Sequence, residues 1–248
     1  MHVELIKRCL SLSLMLALGF TTNAAARDFE FFEEDEAGNI NQRNVGVFKS
    51  NVHNSSDIHK RSKIVTRSVE LNPFSALKVQ IPVAVDYYRA NNARAEIEGP
   101  EHVIENILLV EDADRLSIRS SGLQSSQPIT IRLYGKGLER AFISSAAEVT
   151  LRDISAQQFL LSVRGAADVT ANGSASRCKI DISGAADLDM GRLRCKDIAF
   201  TAMGSSDATV NASQSISGLA QGAGDVTILG SPAERSLQAR GSYDLSYQ

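Results

Sequence analysis

The chain has 248 residues, a formal net charge of −3, 43% hydrophobic and 22% charged residues, and no Trp. So mild a charge favours no class of partner. With no basic stripe interleaved with aromatics, it gives no support to nucleic-acid binding.

Residues 1–26 read as a secretory signal peptide. Lys7 and Arg8 form a positive start, residues 9–20 an apolar run of twelve, and Ala24-Ala25-Ala26 a cleavage site before Arg27. No Cys follows the apolar run to take a lipid. No other stretch approaches the roughly 18 apolar residues of a spanning helix. Cleavage leaves 222 residues with 24 basic and 28 acidic side chains, a net charge of −4. The expectation is an exported bacterial protein, periplasmic or secreted to the cell surface, with no transmembrane segment. Cys178 and Cys195 remain in the mature chain. Export makes a disulfide between them feasible, and their spacing fits no zinc motif.

Residues 27–63 show no sustained apolar periodicity and read as a poorly ordered polar and charged segment. "DFEFFEEDE" (28–36) is acidic with three Phe, whereas Arg43, Lys49, Lys60, Arg61, Lys63 and Arg67 face a single acid, Asp57. The acidic run could fold back on that basic stretch or engage a partner; a solvated tail is the simpler reading.

The folded domain is expected over 64–248, with irregular coils at 64–138 and regular repeats at 139–248. "KIVTRSVEL" alternates as a strand and meets a turn at Asn72-Pro73. Leu77, Val79, Ile81, Val83 and Val85 share one parity, a second strand signal, in which Pro82 demands an edge position or a bend. "GPEHVIENILLV" (99–110) reads as a short helix running into a strand. "LLVEDADRLSIRS" reads as a hairpin turning at 112–114, and "PITIRLY" (128–134) as another strand.

From 139 onward the chain is self-similar. Glu148, Asp168, Asp187, Asp207, Asp225 and Asp244 recur at steps of 20, 19, 20, 18 and 19. Three residues before them stand Ser145, Gly165, Gly184, Gly204, Gly222 and Gly241. One residue after them stand Val149, Val169, Leu188, Ala208, Val226 and Leu245, and two after them a column rich in Thr. Apolar columns spaced by two are strands with one face in and one out. A period of about 19 leaves no room for a helix in each unit, and identical units in one direction exclude a meander. The pattern predicts an all-β, single-stranded parallel β-helix (β-solenoid) with about 19 residues per coil and one short helix in its N-terminal part. The glycines then mark coil corners where positive φ is needed.

Four chemistries bear on this pattern. Carboxylates stacked at about 4.8 Å repel by roughly 0.9 kcal/mol per pair in bulk water, so the acidic ladder needs an offset. Each Asp accepting backbone N–H groups at its own corner supplies one, and this structural reading is the favoured one. Alternatively the ladder binds Ca²⁺ or another cation, although the period departs from that of calcium-binding nonapeptides. A polysaccharide-processing site could use two of the carboxylates, but no Arg, Lys or aromatic cluster stands out as a sugar-binding floor. A nucleophile triad is unsupported, since the mature chain has His53, His59 and His102 only, and no strand–elbow–helix serine motif.

Several motifs resemble the putative auto-transporter adhesin, head GIN domain family over about residues 66–248. They are F-x-x-L-x-V (Phe74, Leu77, Val79), I-E-G-x-E-x-x-I (Ile97, Glu98, Gly99, Glu101, Ile104), D-R-L-S-I (114–118), and the repeated Gly-Ala/Ser-Ala/Ser-Asp-Val/Leu unit. The resemblance implies a right-handed β-helix of exported or envelope proteins, with no catalytic residues and no cofactor to carry over. This chain departs from the commonest repeat at Ser145 and Glu148, where the corner glycine is missing. The expected function is a non-enzymatic binding, adhesion-like or structural module whose ligand is a glycan, an envelope component or a protein. One alternative is a self-assembling scaffold, a homo-oligomer stacked end to end through a last coil that shows no evident cap. The other is a polysaccharide-processing enzyme.

Overall fold

The computed structural model describes residues 63–122 and 127–248. The expected signal peptide, the acidic run and most of the basic stretch lie outside the described residues.

The described chain is nearly all β. In order it forms β1 (Ile64–Glu70), β2 (Ala76–Val79), β3 (Ala84–Arg89), β4 (Arg94–Pro100), α1 (Glu101–Ile104), β5 (Ile107–Asp112), β6 (Arg115–Ser120), β7 (Thr130–Gly135), β8 (Arg140–Ile143), β9 (Glu148–Leu229) and β10 (Glu234–Tyr247). The long alternating run around Pro82 divides into β2 and β3, because a residue without an N–H cannot continue the ladder. The short helix precedes β5, and β5 and β6 form the expected hairpin, with Asp112 opposite Arg115.

The sheet is mixed, so parallel winding does not extend through the N-terminal strands. β1 pairs β4, β4 pairs β7 and β5 pairs β6, all antiparallel. For β5 and β6 the cause is the connection: two residues cannot carry a chain back to start a parallel neighbour. Ala113 takes φ +51° in that turn. Ser75 Oγ donates to the Asp114 carboxylate, and Arg140 pairs with it at 2.6 Å. The Ser75 hydrogen bond, followed by the Arg140 charge, holds Asp114 below the usual carboxylate range.

The remaining pairs are parallel. β2 lies between β6 and β8, so Val79 aligns with Ile118 on one side and Ile143 on the other. Ile143 in turn aligns with Val163 of β9. β3 lies between β7 and β9, which aligns Val85 with Ile131 and Val149. All of these side chains are at most 1% exposed. Burying each contributes about 1.5–3 kcal/mol, and each row continues inward-facing columns read from the sequence.

β9 is 82 residues long, which as a straight strand would span about 270 Å. Instead it returns on itself every 18–20 residues. A Cβ built on Gly184 would collide with the Gly165 carbonyl, one on Gly204 with that of Gly184, and one on Gly222 with that of Gly204. β10 adds in parallel on β9 with Asp244 opposite Asp225. Phe159 and Phe200 fill the interior between these passes, and both are fully buried. At the N-terminal side Phe74 meets Tyr87 edge-on at 6.3 Å. The Tyr87 hydroxyl, buried, donates to the Gly135 carbonyl at 3.1 Å. Burial pushes its pKa up to about 12.

Candidate functional site

The acidic column lies on one outward face. Glu148, Asp168, Asp187, Asp207, Asp225 and Asp244 are all exposed, and the residue after each points inward. Asp168, Asp187, Asp207 and Asp225, joined by Asp189, line an open groove of about 350 Å³. Thr170, Thr209 and Thr227 form its floor beside them. Glu148 lies instead at the mouth of a second depression of about 300 Å³, with Pro82, Gln127 and Pro128. Asp244 continues the column on β10.

One step of the ladder, between Asp207 and Asp225, is offset by a hydrogen bond. The Asp225 backbone N–H donates to Asp207 Oδ1 at 2.8 Å, so a carboxylate of one pass caps the strand of the next. A charge-assisted bond of this kind offsets the modest repulsion of solvent-facing neighbours. Among the described residues no three His, Cys, Asp or Glu side chains converge in a way that could hold a metal ion. His102 is exposed on α1.

The glycines before the acids have the backbone that the corner reading requires. Gly184 and Gly204 sit at φ +132° and +126°, each pressed against the backbone of the pass below. A second corner column went unread in the sequence. The Asp153 N–H donates to Asn172 Oδ1 at 2.9 Å, and Asn211 Nδ2 donates to the Gly191 carbonyl at 3.0 Å. Its signal was available: Asn172, Gly191 and Asn211 each stand four residues after an acid of the ladder, and Asn and Gly are the residues that turn corners at least cost.

Cys178 and Cys195 form a disulfide, with Cα atoms 6.0 Å apart. Both are buried, at 0% and 2% exposure. The bond therefore staples two successive passes from inside.

The structure also gathers an aromatic and charged cluster that the sequence conceals. In cross-strand register, Arg94 of β4 meets Tyr134 of β7, which meets Tyr88 of β3. Arg152 follows on β9, one residue beyond the Leu151–Tyr87 pair. The two rings stack at 5.4 Å, with Arg94 3.7 Å above Tyr134 and Arg152 5.3 Å from Tyr88. Arg152 also pairs with Asp86 at 2.9 Å, and Arg132 with Glu98 at 2.8 Å. These hydrogen bonds raise both guanidinium pKa values. The absence of an aromatic cluster, inferred from sequence, is therefore corrected: strands distant in the chain assemble one. Its ring faces are already covered by each other and by arginine. The column thus acts as cross-strand packing that joins the N-terminal strands to the repeats, each stacked contact worth about 0.5–1.5 kcal/mol.

The last pass is also closed more fully than the sequence suggested. Tyr243 lies opposite Gly224, whose missing side chain leaves room for its ring. Its hydroxyl reaches Ser206 Oγ, two passes back, at 2.5 Å in a buried pair. Arg235 sits 4.6 Å from the Tyr247 ring.

The sequence profile of the putative auto-transporter adhesin, head GIN domain matches residues 73–232. The chain belongs to the head GIN domain family. The match falls within the span where the motifs agree, covering the hairpin, the acidic groove and the disulfide. No curated protein matches the head GIN chain. Among solved structures, a putative adhesin from Bacteroides fragilis superimposes with a TM-score of 0.58 at 17% identity, covering 75% of this chain and 97% of that one. It shares the fold. A putative adhesin from Parabacteroides merdae aligns with a TM-score of 0.41 at 13% identity, over 76% and 97% of the two chains. A putative lipid binding protein from Parabacteroides distasonis gives 0.41 at 12% identity, over 76% and 98%. The family is described by adhesion rather than by a reaction, and among the described residues no helix is long and apolar enough to cross a membrane.

Proposed function

We propose that this head GIN chain is an exported, non-enzymatic binding module of the bacterial cell envelope. Its scaffold is a right-handed parallel β-helix of about 19 residues per coil. The 19-residue shift between β10 and β9 supports the winding, as does the stacking of corner glycine on corner glycine. Right-handedness is the near-universal sense for parallel crossovers.

The observation that carries the functional reading is the composition of the groove. It repeats one residue type, Asp, at exposed positions. Catalysis by carboxylates needs two groups whose environments push them into different roles. A periodic open groove suits recognition of a repeating or extended ligand instead.

The test is a screen of the mature chain against a glycan array and against solubilised envelope fractions, with a Ca²⁺ titration and a polysaccharide-turnover assay alongside. Saturable binding without turnover is the expected result. Turnover that is lost in Asp168→Asn/Asp187→Asn while folding persists would instead establish an enzyme. Deleting residues 1–26 should trap the protein in the cytoplasm, and unchanged export would refute the leader assignment.

A second reading, self-assembly, draws on β10. Among the described residues this strand pairs with β9 alone, which leaves its other edge without a described partner. Light scattering on the mature chain decides it, a strict monomer at high concentration ruling it out.

A further inference from the structure

Arg-Cys-Lys occurs twice, at 177–179 and 194–196. The Cys178–Cys195 disulfide holds the two copies together, with their Cα atoms 6.0 Å apart. Both cysteines point into the core. Side chains alternate along a strand, so the residues flanking each cysteine face outward. Arg192, Arg194 and Lys196 alternate with buried Leu193 and Cys195 and therefore project from one face, and the disulfide brings Arg177 and Lys179 close to them. Arg192, Arg194 and Lys196 are exposed, Arg177 and Lys179 half-buried.

The protein does little to neutralise this patch. Lys179 reaches Asp181 at 3.4 Å. Asp197 accepts a hydrogen bond from Ser215 Oγ at 2.7 Å. Among the described residues Arg177, Arg192, Arg194 and Lys196 form no ion pair. The bend at Gly184 lies between Lys179 and Asp187, and the corner column of Asn172, Gly191 and Asn211 lies between Asp189 and Arg192.

We propose that this basic side docks an acidic polysaccharide, one bearing uronate or sulfate groups along its length. The proposal adds a second face to the binding module above, distinct from its acidic groove, and rests on the reading of the chain as a binding module. Arg192, Arg194 and Lys196, spaced about 7 Å apart along the strand, present a row of cations suited to a polymer with regularly spaced anions. Outward hydroxyls at Ser174 and Ser176 can serve a sugar's hydroxyl groups. A membrane fits less well: among the described residues the exposed large apolar side chains are Ile64, Leu108 and Met203, none within 174–200. Single-stranded nucleic acid would need stacking rings, and the nearby Phe159 and Phe200 are buried.

The test measures binding of the mature chain to heparin and to polygalacturonate, with neutral dextran, phosphatidylglycerol vesicles and poly(dT) as comparators. The expected result is binding to an acidic glycan, weakened at least about tenfold in Arg192→Gln/Arg194→Gln/Lys196→Gln, with a salt dependence shallower by about two charges. Arg192→Lys/Arg194→Lys should retain it. Circular dichroism and an intact disulfide check the fold, and Arg177→Gln/Lys196→Gln serves if the triple variant misfolds. Three outcomes overturn the proposal: no binding to either acidic glycan, undiminished binding in the variants, or equal affinity for vesicles or poly(dT). If the wild type binds a neutral glycan or an envelope protein through another surface, the basic-side proposal falls and the binding module stands. If it binds nothing, both fall.

Discussion

Replacing Gly204 with Ala tests the stacked corners directly. Gly204 adopts φ +126°, a conformation that costs an L residue about 1–3 kcal/mol. The added methyl would also meet the carbonyl carbon and nitrogen of Gly184 at 3.0 and 3.1 Å, with the oxygen closer still. Those atoms are backbone and cannot swing aside as a side chain would, so overpacking adds about 1–3 kcal/mol. The sum is about 2–6 kcal/mol, or roughly 4–24 °C in Tm for a domain of this size. Gly137→Ala is the control, because nothing lies within 4 Å of its added Cβ and no positive φ is needed there; it should change stability by less than about 0.5 kcal/mol. Urea unfolding followed by circular dichroism measures both. A Gly204→Ala variant within 1 kcal/mol of wild type would refute the stacking of Gly204 on Gly184, and with it the account of the repeated glycine.

Three further predictions concern stability. Tyr87 ionises near pH 10 when unfolded but only at about 12 when folded. Its stabilising effect is complete below pH 10 and fades as pH rises to 12, by about 1–3 kcal/mol. Wild type should lose that much more than Tyr87→Phe over this interval, and parallel pH profiles would contradict the buried phenol. Reducing the Cys178–Cys195 disulfide frees a loop with a sequence separation of 17. Chain entropy puts the loss at about 3 kcal/mol, readable as a lower urea midpoint with dithiothreitol, and an unchanged midpoint would count against the staple. Asp207→Asn keeps an acceptor for the Asp225 N–H and removes one ladder charge, so it should be neutral or slightly stabilising. Asp207→Ala should cost about 0.5–1.5 kcal/mol; the reverse order of the two variants would contradict a capping role.

Much of the chain's organisation is legible one residue at a time. Alternation at Leu77, Val79 and Val85 marks strands, and Pro82 marks the break between β2 and β3. The 18–20-residue recurrence of Gly and Asp exposes the repeat, because each pass must turn at the same place and stack on its neighbour. The acidic ladder is legible for the same reason. Its accommodation is not, since the Asp207 carboxylate caps a strand that begins 18 residues later.

Local pattern alone determined that this is an all-β chain with a repeated corner, because burial period and backbone strain act over a few residues. Tertiary structure decided which strands are neighbours. That choice made the N-terminal sheet mixed and stacked Arg94, Tyr134, Tyr88 and Arg152 into one column. It let Tyr243 fill the space over Gly224, and it brought the two Arg-Cys-Lys tripeptides side by side. Each of these depends on register between segments far apart in sequence, which is set by the packing of the whole core and leaves no periodic trace in any one strand.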